Sequence, residues 1–288
     1  MKRYKWVLLF ISILIVSVWL YRGNTIIETT QLTIQSDHIP KSFDGFKIAQ
    51  VSDLHNATFG EDNHTLIKAL ENAEPDVIVV TGDVIDSRRT DVDVAYRFFE
   101  AVASIAPVYY VTGNHEARLD MYPTFQSRIE DIGVHVLRNT SIALTKNNET
   151  VALTGVDDPL FQQVSSEEAT MMNQLGRALP EASTYTMLLS HRPEHFSLYQ
   201  QAGVDLVFSG HAHGGQVRLP FIGGLIAPHQ GWLPEYTSGK YESGETTMIV
   251  SRGLGNSLFP VRVNNPPELI VVTPVSYTHL TLPTKRIV

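Results

Sequence analysis

Short apolar runs rich in valine and isoleucine recur along the chain, and several of them end at Asp, Asn or His. Runs of this kind are typical of strands in the interior of a sheet. Their polar ends are therefore predicted to lie where buried strands stop. The runs that precede polar clusters cover residues 46–51, 77–80, 108–111, 185–189 and 206–208.

The remaining periodicity predicts the other elements. Strands and helices alternate in the first half of the chain, whereas strands dominate the second half. This order favours an α/β (α+β) fold with two packed mixed β-sheets flanked by helices. Helices are predicted over residues 63–74, 91–105, 123–132, 165–179 and near 193–201. Further strands are predicted at a sheet edge over residues 29–35, in a hairpin over 142–145 and 151–154, and over 247–251 and 268–273.

The beginning of the chain is much more apolar than the rest. Residues 6–21 contain only two serines among apolar side chains, and three basic residues precede them. As a helix this run would rise about 24 Å, slightly less than a hydrocarbon core of roughly 30 Å. A buried helix would not need that basic flank, and no small-residue cleavage site follows. Residues 1–28 are therefore predicted to form an uncleaved transmembrane signal anchor.

The charges beside this run predict its orientation. Lys2, Arg3 and Lys5 precede it, whereas only Arg22 follows closely. Because basic flanks stay in the cytoplasm, the protein is predicted to cross the cell membrane once and to place its main domain outside the cytoplasm.

The end of the chain does not look native. Residues 275–288 resemble the translation of a sequencing adapter, and they follow the last predicted core strand directly. They are predicted to be a non-native tail. Residues 29–274 then form one domain, in which the Gly- and Pro-rich stretch 214–244 is too long for an ordinary connection. Such loops are often functional.

Composition narrows the chemistry. The chain has no cysteine, which excludes disulfides and zinc sites built on thiolates. Its net charge is −8, and no Lys/Arg cluster lies outside the N-terminus. A nucleic-acid groove is therefore not indicated. The partner predicted from the N-terminal apolar run is the membrane.

The polar clusters at the strand ends predict a metal site. In α/β sheets, ligands bind beyond the carboxyl ends of the strands. Two carboxylates, one amide and four imidazoles exceed the four ligands of a single zinc ion, whereas two divalent ions would use them all. Without thiolates, Mn, Fe and Zn all remain open. The candidate ligands are Asp53, His55, Asp83, Asn114, His191, His211 and His213.

Most of these clusters are weak evidence alone, since Asp-x-His occurs by chance at surfaces and Gly-Asp after a strand is often only a turn. Gly-His-Ala-His-Gly-Gly is stronger, because two histidines in a glycine loop have no packing role. The order of the clusters along the chain is more specific. Asp-x-His, Gly-Asp-x-x-Asp, Gly-Asn-His-Glu, His and Gly-His-x-His together resemble the calcineurin-like metallophosphoesterase family over residues 44–273. The resemblance implies a four-layer sandwich of two sheets between helices, and a phosphoester substrate.

The resemblance also implies roles for the clustered residues. Asp53, His55, Asp83 and His213 would hold one ion. Asp83 would bridge to a second ion, which also takes Asn114, His191 and His211.

Two further residues are implied to be catalytic rather than metal-bound. His115 would face the phosphoryl group, and Asp86 would hydrogen-bond His115 and hold it as a cation.

Departures from the family pattern narrow the substrate. Family protein phosphatases follow Gly-Asp-x-x-Asp with Arg-Gly, whereas Ser87 and Arg88 follow Asp86 here. That difference argues against a protein phosphatase. Residues 43–48, 210–219 and 251–257 look more like bacterial membrane-associated phosphodiesterases of the YkuE and YaeI type.

The Gly-rich loop 251–257 carries two further candidates. Arg252 and Asn256 follow a predicted strand, where they either contact substrate or serve only the turn.

The resulting hypothesis is a membrane-anchored two-metal phosphoesterase. It would hydrolyse a phosphodiester or pyrophosphate bond of an envelope lipid or a nucleotide by attack of a metal-bridging hydroxide. A phosphomonoesterase on the same site is one alternative, and a non-catalytic metal-binding module of this fold is another. The module would be expected to lose ligands or the catalytic histidine, and this sequence retains them all.

Overall fold

Two six-stranded sheets lie face to face at the centre of the protein. The computed structural model describes residues 2–162, 166–181, 184–256 and 258–277. Its helices are α1 Lys2–Thr25, α2 His64–Ala73, α3 Val92–Ala103, α4 Tyr122–Glu130, α5 Glu167–Ala178 and α6 Phe196–Gln201.

Sixteen strands form in the described part of the chain. The first eight are β1 Glu28–Ser36, β2 Ile48–Val51, β3 Val77–Thr81, β4 Val108–Val111, β5 His135–Val136, β6 Thr140–Lys146, β7 Glu149–Gly155 and β8 Thr186–Leu189. The others are β9 Leu206–Ser209, β10 Arg218–Leu219, β11 Gly223–Gly224, β12 Ile226–Ala227, β13 Gly231–Trp232, β14 Gly239–Ser243, β15 Thr246–Val250 and β16 Glu268–Ser276.

The central strands of each sheet run parallel to one another, so their carboxyl ends lie at the same edge of that sheet. The first sheet has the order β1-β16-β2-β3-β4-β5, with β2 to β5 parallel and β16 antiparallel to β2. The second has the order β14-β15-β9-β8-β7-β6, with β15, β9, β8 and β7 parallel. The carboxyl ends of the central strands are where an α/β fold binds its ligands.

Three apolar clusters define four layers. One lies between the first sheet and helices α2, α3 and α4, and includes Phe98 and Phe125. A second lies between the two sheets and includes Ile48 and Phe208. The third lies between the second sheet and helices α5 and α6, and includes Tyr199. The predicted fold class, two mixed sheets flanked by helices, is therefore confirmed.

The structure adds elements that periodicity did not predict. Strand β5 has only two residues, and no residue of β14 is fully buried, so neither carries a clear apolar pattern. The long stretch 214–244 contains two small hairpins, β10–β11 and β12–β13. At the end of the domain β16 continues past the predicted boundary at 274, because Val275 and Ser276 pair with β1. Residues 278–288 of the predicted tail lie outside the described residues.

Helix α1 is longer than the apolar run that predicted it. Its segment Tyr4–Thr25 has the length and composition of a membrane-crossing helix, and the most apolar part of it is not buried against the protein. Twenty-two residues rise about 33 Å, which is sufficient for a bilayer core. Strand β1 begins at Glu28, so only two residues separate it from the helix.

Candidate metal centre

The carboxyl ends of β2, β3 and β4 in one sheet meet those of β8 and β9 in the other. All seven predicted ligands follow these strand ends, and none is more than 4% exposed. Burial of so many polar groups is costly unless they are paired or coordinate a cation.

The first group of ligands consists of Asp53, His55 and His213. Nε2 of His55 lies 3.2 Å from Nε2 of His213, which in turn lies 3.4 Å from a carboxylate oxygen of Asp53. These atoms come from the loops after β2 and β9, so the group bridges the two sheets.

The second group consists of Asp83, His191 and His211. Nε2 of His191 lies 3.1 Å from Nδ1 of His211 and 3.2 Å from Oδ2 of Asp83. Asn114 follows β4, and the backbone N–H of the next residue, His115, donates to Oδ1 of Asp83 at 2.8 Å, which brings this segment close to the second group.

Asp83 connects the two groups. Its Oδ2 lies 3.6 Å from Nε2 of His55 in the first group and 3.2 Å from Nε2 of His191 in the second. One carboxylate oxygen thus faces nitrogen ligands on both sides.

The backbone at these ligands is unusual. Five of the seven adopt the left-handed conformation, with φ of 52° at Asp53, 48° at His55, 52° at Asp83, 67° at His211 and 47° at His213. Such a conformation costs on the order of 1–3 kcal/mol for a residue other than glycine. Strain concentrated in one buried polar cluster is typical of a functional site.

Gly82 permits the close approach of the two sheets. Its φ is 87°, and a Cβ atom there would lie 2.7 Å from Nδ1 of His191. A larger residue would therefore push His191 away from Asp83.

Surrounding groups fix the orientation of the ligands. Nδ1 of His191 donates to the Thr81 carbonyl at 2.7 Å, which leaves its Nε2 directed at Asp83. The Asp53 carboxylate accepts from the Ser52 hydroxyl at 2.6 Å and from the His211 backbone N–H at 3.0 Å.

The Glu116 carboxylate holds the loops after β3 and β4 together. It accepts from the backbone N–H groups of Asp83, Ile85 and Gly113 at 2.8–3.0 Å. Burial and the nearby Asp83 charge raise the pKa of Glu116 to about 7. Sequence reasoning assigned it no role, although it belongs to the Gly-Asn-His-Glu motif.

The electrostatics of the centre fit a bound cation. Burial opposes ionisation of Asp83 and His191, but their mutual attraction prevails, so the pKa of Asp83 is lowered and that of His191 is raised. Burial lowers the pKa of His55 and His211. Asn114 Oδ1 is buried and has no hydrogen-bond partner among the described residues. These nitrogens, carboxylates and an unpaired amide oxygen are suitable ligands for divalent transition metals.

The environment of His115 differs from the prediction. Asp86 was expected to hydrogen-bond His115 and hold it as a cation, but its oxygen lies 3.5 Å from Nδ1. Nδ1 instead accepts from the Ser87 backbone N–H at 3.0 Å, and Asp86 accepts from the Arg88 backbone N–H and the Arg89 guanidinium, each at 2.9 Å. A nitrogen that accepts from an amide carries no proton.

The pKa directions agree with this geometry. Burial outweighs the nearby carboxylates and lowers the pKa of His115. Although burial opposes its ionisation, the Arg88 backbone N–H and the Arg89 side chain lower the pKa of Asp86 to about 2. Geometry and electrostatics thus both favour the neutral form of His115, while the Asp86 carboxylate accepts hydrogen bonds from its own loop.

Arg252 and Asn256, the two predicted substrate contacts, have other partners. The Arg252 guanidinium pairs with Glu28 at 3.0 Å and with Glu268 at 2.9 Å. Asn256 accepts from Nε of Arg262 at 2.9 Å. These contacts correspond to the turn alternative, since they join the loop to β1, β16 and its own continuation.

Sequence reasoning missed Arg192, which is fully buried beside the second group. It forms a two-point ion pair with Asp158, at 2.5 and 3.0 Å. Its Nη1 lies 2.9 Å from Nδ1 of His229 and 3.4 Å from Nε2 of His211. The only signal in the sequence is its position directly after His191.

Arg262 is a second missed residue and is also buried. Its Nη2 lies 3.4 Å from Nδ1 of His213, and its Nη1 donates to the Arg252 carbonyl at 2.7 Å. No motif marks it in the sequence.

Comparisons with known proteins agree with this geometry. A family model described as calcineurin-like phosphoesterase matches residues 46–215. The chain is 34% identical over 263 residues to the metallophosphoesterase YkuE of Bacillus subtilis, covering 88% of this chain and 87% of YkuE. It is 27% identical over 236 residues to the phosphodiesterase YaeI of Escherichia coli, covering 79% and 81% of the two chains. The solved structure of TT1561 from Thermus thermophilus has a TM-score of 0.51 at 13% identity, covers 72% of this chain and 89% of that one, and shares the fold.

Proposed function

The chain belongs to the calcineurin-like phosphoesterase family, as its motif order predicted, and on that premise we propose that it is a membrane-anchored two-metal hydrolase of phosphodiester or pyrophosphate bonds. The observation that supports two ions most directly is the position of Asp83 Oδ2 between two sets of nitrogen ligands. Ions about 3.5–4 Å apart, sharing a ligand, suit the in-line displacement of a phosphoester.

Each of the two ligand groups would hold one ion, and Asp83 would bind both ions. When bound, such ions polarise the phosphoryl oxygens and lower the pKa of the attacking water. Mn, Fe and Zn all suit the donor set. The proposed ligands are Asp53, His55, His213 and Asp83 for one ion, and Asp83, Asn114, His191 and His211 for the other.

His115 is proposed to act on the substrate as a neutral hydrogen-bond donor. Because Nδ1 accepts from Ser87, the ring proton is on Nε2. The ring packs edge-on against His55, with centroids 4.5 Å apart, and so lies beside the first group. A fixed N–H donor there stabilises negative charge that develops on the phosphoryl or leaving oxygen.

Arg192 is proposed to keep a positive charge beside the second group. The Asp158 carboxylate holds the Nε and Nη2 side of the guanidinium. Nη1 faces His211 and His229 and also donates to the Glu194 carboxylate at 3.3 Å. This placement would orient His211 and attract the anionic substrate, in place of the Arg that family protein phosphatases carry after Gly-Asp-x-x-Asp.

The membrane anchor is the second part of the proposal. Its support is helix α1, which is apolar, unburied and long enough to cross a bilayer. The basic residues before it favour an N-terminus in the cytoplasm and a catalytic domain outside.

A metal panel tests the hydrolase. The full-length protein would be stripped with a chelator, reloaded with Mn, Fe or Zn, and assayed on chromogenic phosphodiesters and phosphomonoesters. Hydrolysis that returns with metal at two ions per chain is expected, with diesters preferred. Preference for monoesters would favour the phosphomonoesterase alternative, and metal binding without hydrolysis of any ester would favour the non-catalytic module.

A further inference from the structure

Exposed apolar side chains are concentrated in two loops of the catalytic domain. Among the described residues after position 26, eleven large apolar side chains are exposed, and eight of them belong to these loops. Phe221 is fully exposed, and Trp232 and Leu258 are each 75% exposed. We call the eight the apolar rim: Leu219, Phe221, Ile222, Trp232, Leu233, Leu258, Phe259 and Val261.

The apolar rim adjoins the metal centre. Gln216 follows the ligand His213 closely, and its side-chain amide donates to the carbonyls of Phe259 and Val261 at 3.1 and 3.2 Å. A mainly apolar cavity of about 310 Å³ lies between the two loops, with His213 in its wall and Leu258 and Phe259 on one side. Two residues of the rim, Leu258 and Phe259, therefore line an apolar space that reaches a metal ligand.

The foot of helix α1 contacts the same region. The Asn24 side chain accepts from the Arg262 backbone N–H at 2.7 Å and donates to its carbonyl at 3.0 Å. Arg262 directly follows Val261 of the rim, and its guanidinium reaches His213. The end of the apolar helix, the rim and the metal centre are thus adjacent.

The connection between helix and domain is short. Helix α1 ends at Thr25 and β1 begins at Glu28. Two intervening residues span at most about 10 Å. A helix that crosses a bilayer would therefore hold the domain against the membrane surface, with the Asn24-contacting face toward the lipid.

From these contacts we infer that the apolar rim inserts into the bilayer beside helix α1 and that the substrate is a phosphoester of a membrane lipid. This inference rests on the proposed function and specifies its substrate class. The lipid phosphate would reach the metal centre while its apolar part stays in the bilayer or the adjoining cavity. Exposed aromatic side chains such as Trp232 are suited to the interfacial level at which lipid phosphates lie.

The reaction is an ordinary hydrolysis. The oxygen of a water molecule forms the new bond to phosphorus, and the ester or anhydride P–O bond breaks. One proton of the water goes to the departing oxygen and the other to solvent.

Insertion of the rim is tested by the fluorescence of Trp232, the only tryptophan outside helix α1. The full-length variant Trp6→Phe/Trp19→Phe would be reconstituted into vesicles of phosphatidylcholine and phosphatidylglycerol that contain lipids brominated on their acyl chains. Loss of most of the Trp232 emission is expected. As a control, Met172→Trp in a chain lacking all three tryptophans should keep its emission, since Met172 is exposed elsewhere. Unquenched Trp232, or a rim covered by a second copy of the chain, overturns the inference.

The substrate class is tested by comparing two kinds of substrate. The metal-loaded protein would be given soluble bis(p-nitrophenyl) phosphate, and separately vesicles carrying phosphatidic acid, phosphatidylglycerol or diacylglycerol pyrophosphate. The rate of hydrolysis by Phe221→Ser/Trp232→Ser is expected to fall about tenfold on the vesicle substrate, which corresponds to about 1.4 kcal/mol. Its rate on the soluble diester is expected to stay unchanged. The matched control Met121→Ser/Met172→Ser should change neither rate.

The outcomes separate the two proposals. Hydrolysis of the soluble diester without hydrolysis of any vesicle lipid overturns the lipid substrate and leaves the hydrolase intact. Equal loss on both substrates in the rim variant also overturns the inference. Absence of hydrolysis on every substrate overturns the proposed function together with the lipid substrate.

Discussion

Oδ2 of Asp83 lies 3.2 Å from Nε2 of His191, although the two residues come from different sheets. The contact forms because Gly82 leaves no side chain between them and because the Thr81 carbonyl fixes the His191 ring. The hydrolytic centre is therefore created by the packing of the two sheets, and its properties should depend on that packing.

Removal of a shared or terminal ligand should abolish hydrolysis and metal binding together. Asp83→Asn and His211→Ala are each expected to lower kcat/KM more than about a hundredfold. Mutation of a group that only hydrogen-bonds a metal ligand already lowers metal affinity or activity about 10–100-fold. Metal analysis and steady-state kinetics would measure both effects. The exposed residues His64 and Asp131 supply matched controls, His64→Ala and Asp131→Asn, which should bind two ions and remain active. Two ions and full activity in the ligand variants would contradict the two-metal site.

His115→Ala should separate turnover from metal binding. We expect both ions to be retained and kcat to fall about a hundredfold, since a preorganised donor is lost. Because Nδ1 accepts from Ser87, the neutral ring should act equally on esters with good and poor leaving groups. Kinetics on a series of leaving groups measures this. A loss confined to poor leaving groups would show instead that His115 acts as a protonated general acid.

The Asp158–Arg192 pair should contribute strongly to stability. Asp158→Ala leaves a fully buried guanidinium without its two-point partner, which is expected to cost about 3–5 kcal/mol and to lower Tm by about 10 °C. Thermal unfolding of the full-length protein measures this. The exposed Asp131→Ala should unfold like the wild type, and an equal Tm for Asp158→Ala would argue against the pair.

Glu116 should affect the centre by positioning its loops. Glu116→Ala removes the acceptor of three backbone N–H groups and is expected to destabilise the fold by roughly 3 kcal/mol. Glu116→Gln keeps an acceptor oxygen and should give an intermediate loss. Metal affinity should fall in parallel with stability, as measured by denaturant unfolding and metal titration. Unchanged affinity in Glu116→Ala would mean that the loops do not depend on this carboxylate.

The catalytic domain should be accessible from outside the cell. Lys2, Arg3 and Lys5 precede the apolar helix and favour an internal N-terminus. Protease added to intact cells is expected to digest the domain while a cytosolic marker survives. Protection until lysis would place the domain in the cytoplasm.

The local sequence determined the strands and helices and the polar residues that follow the strands. Apolar runs identified the central strands, since a strand buried on both faces must be apolar throughout. The Asp, Asn and His residues after those runs were predictable as one site because parallel strands share a carboxyl edge. The apolar segment at the N-terminus likewise predicted helix α1, although not its full length.

Tertiary structure decided which of these side chains meet. Arg192 and Asp158 are separated by 34 positions, and Arg262 and His213 by 49, so no local periodicity connects them. His115 was predicted to pair with Asp86, but the turn after β3 presents the Ser87 amide to its ring. Which loops surround the metal centre was likewise set by long-range packing, because side-chain partners across two sheets depend on how the sheets stack rather than on the order of residues within either.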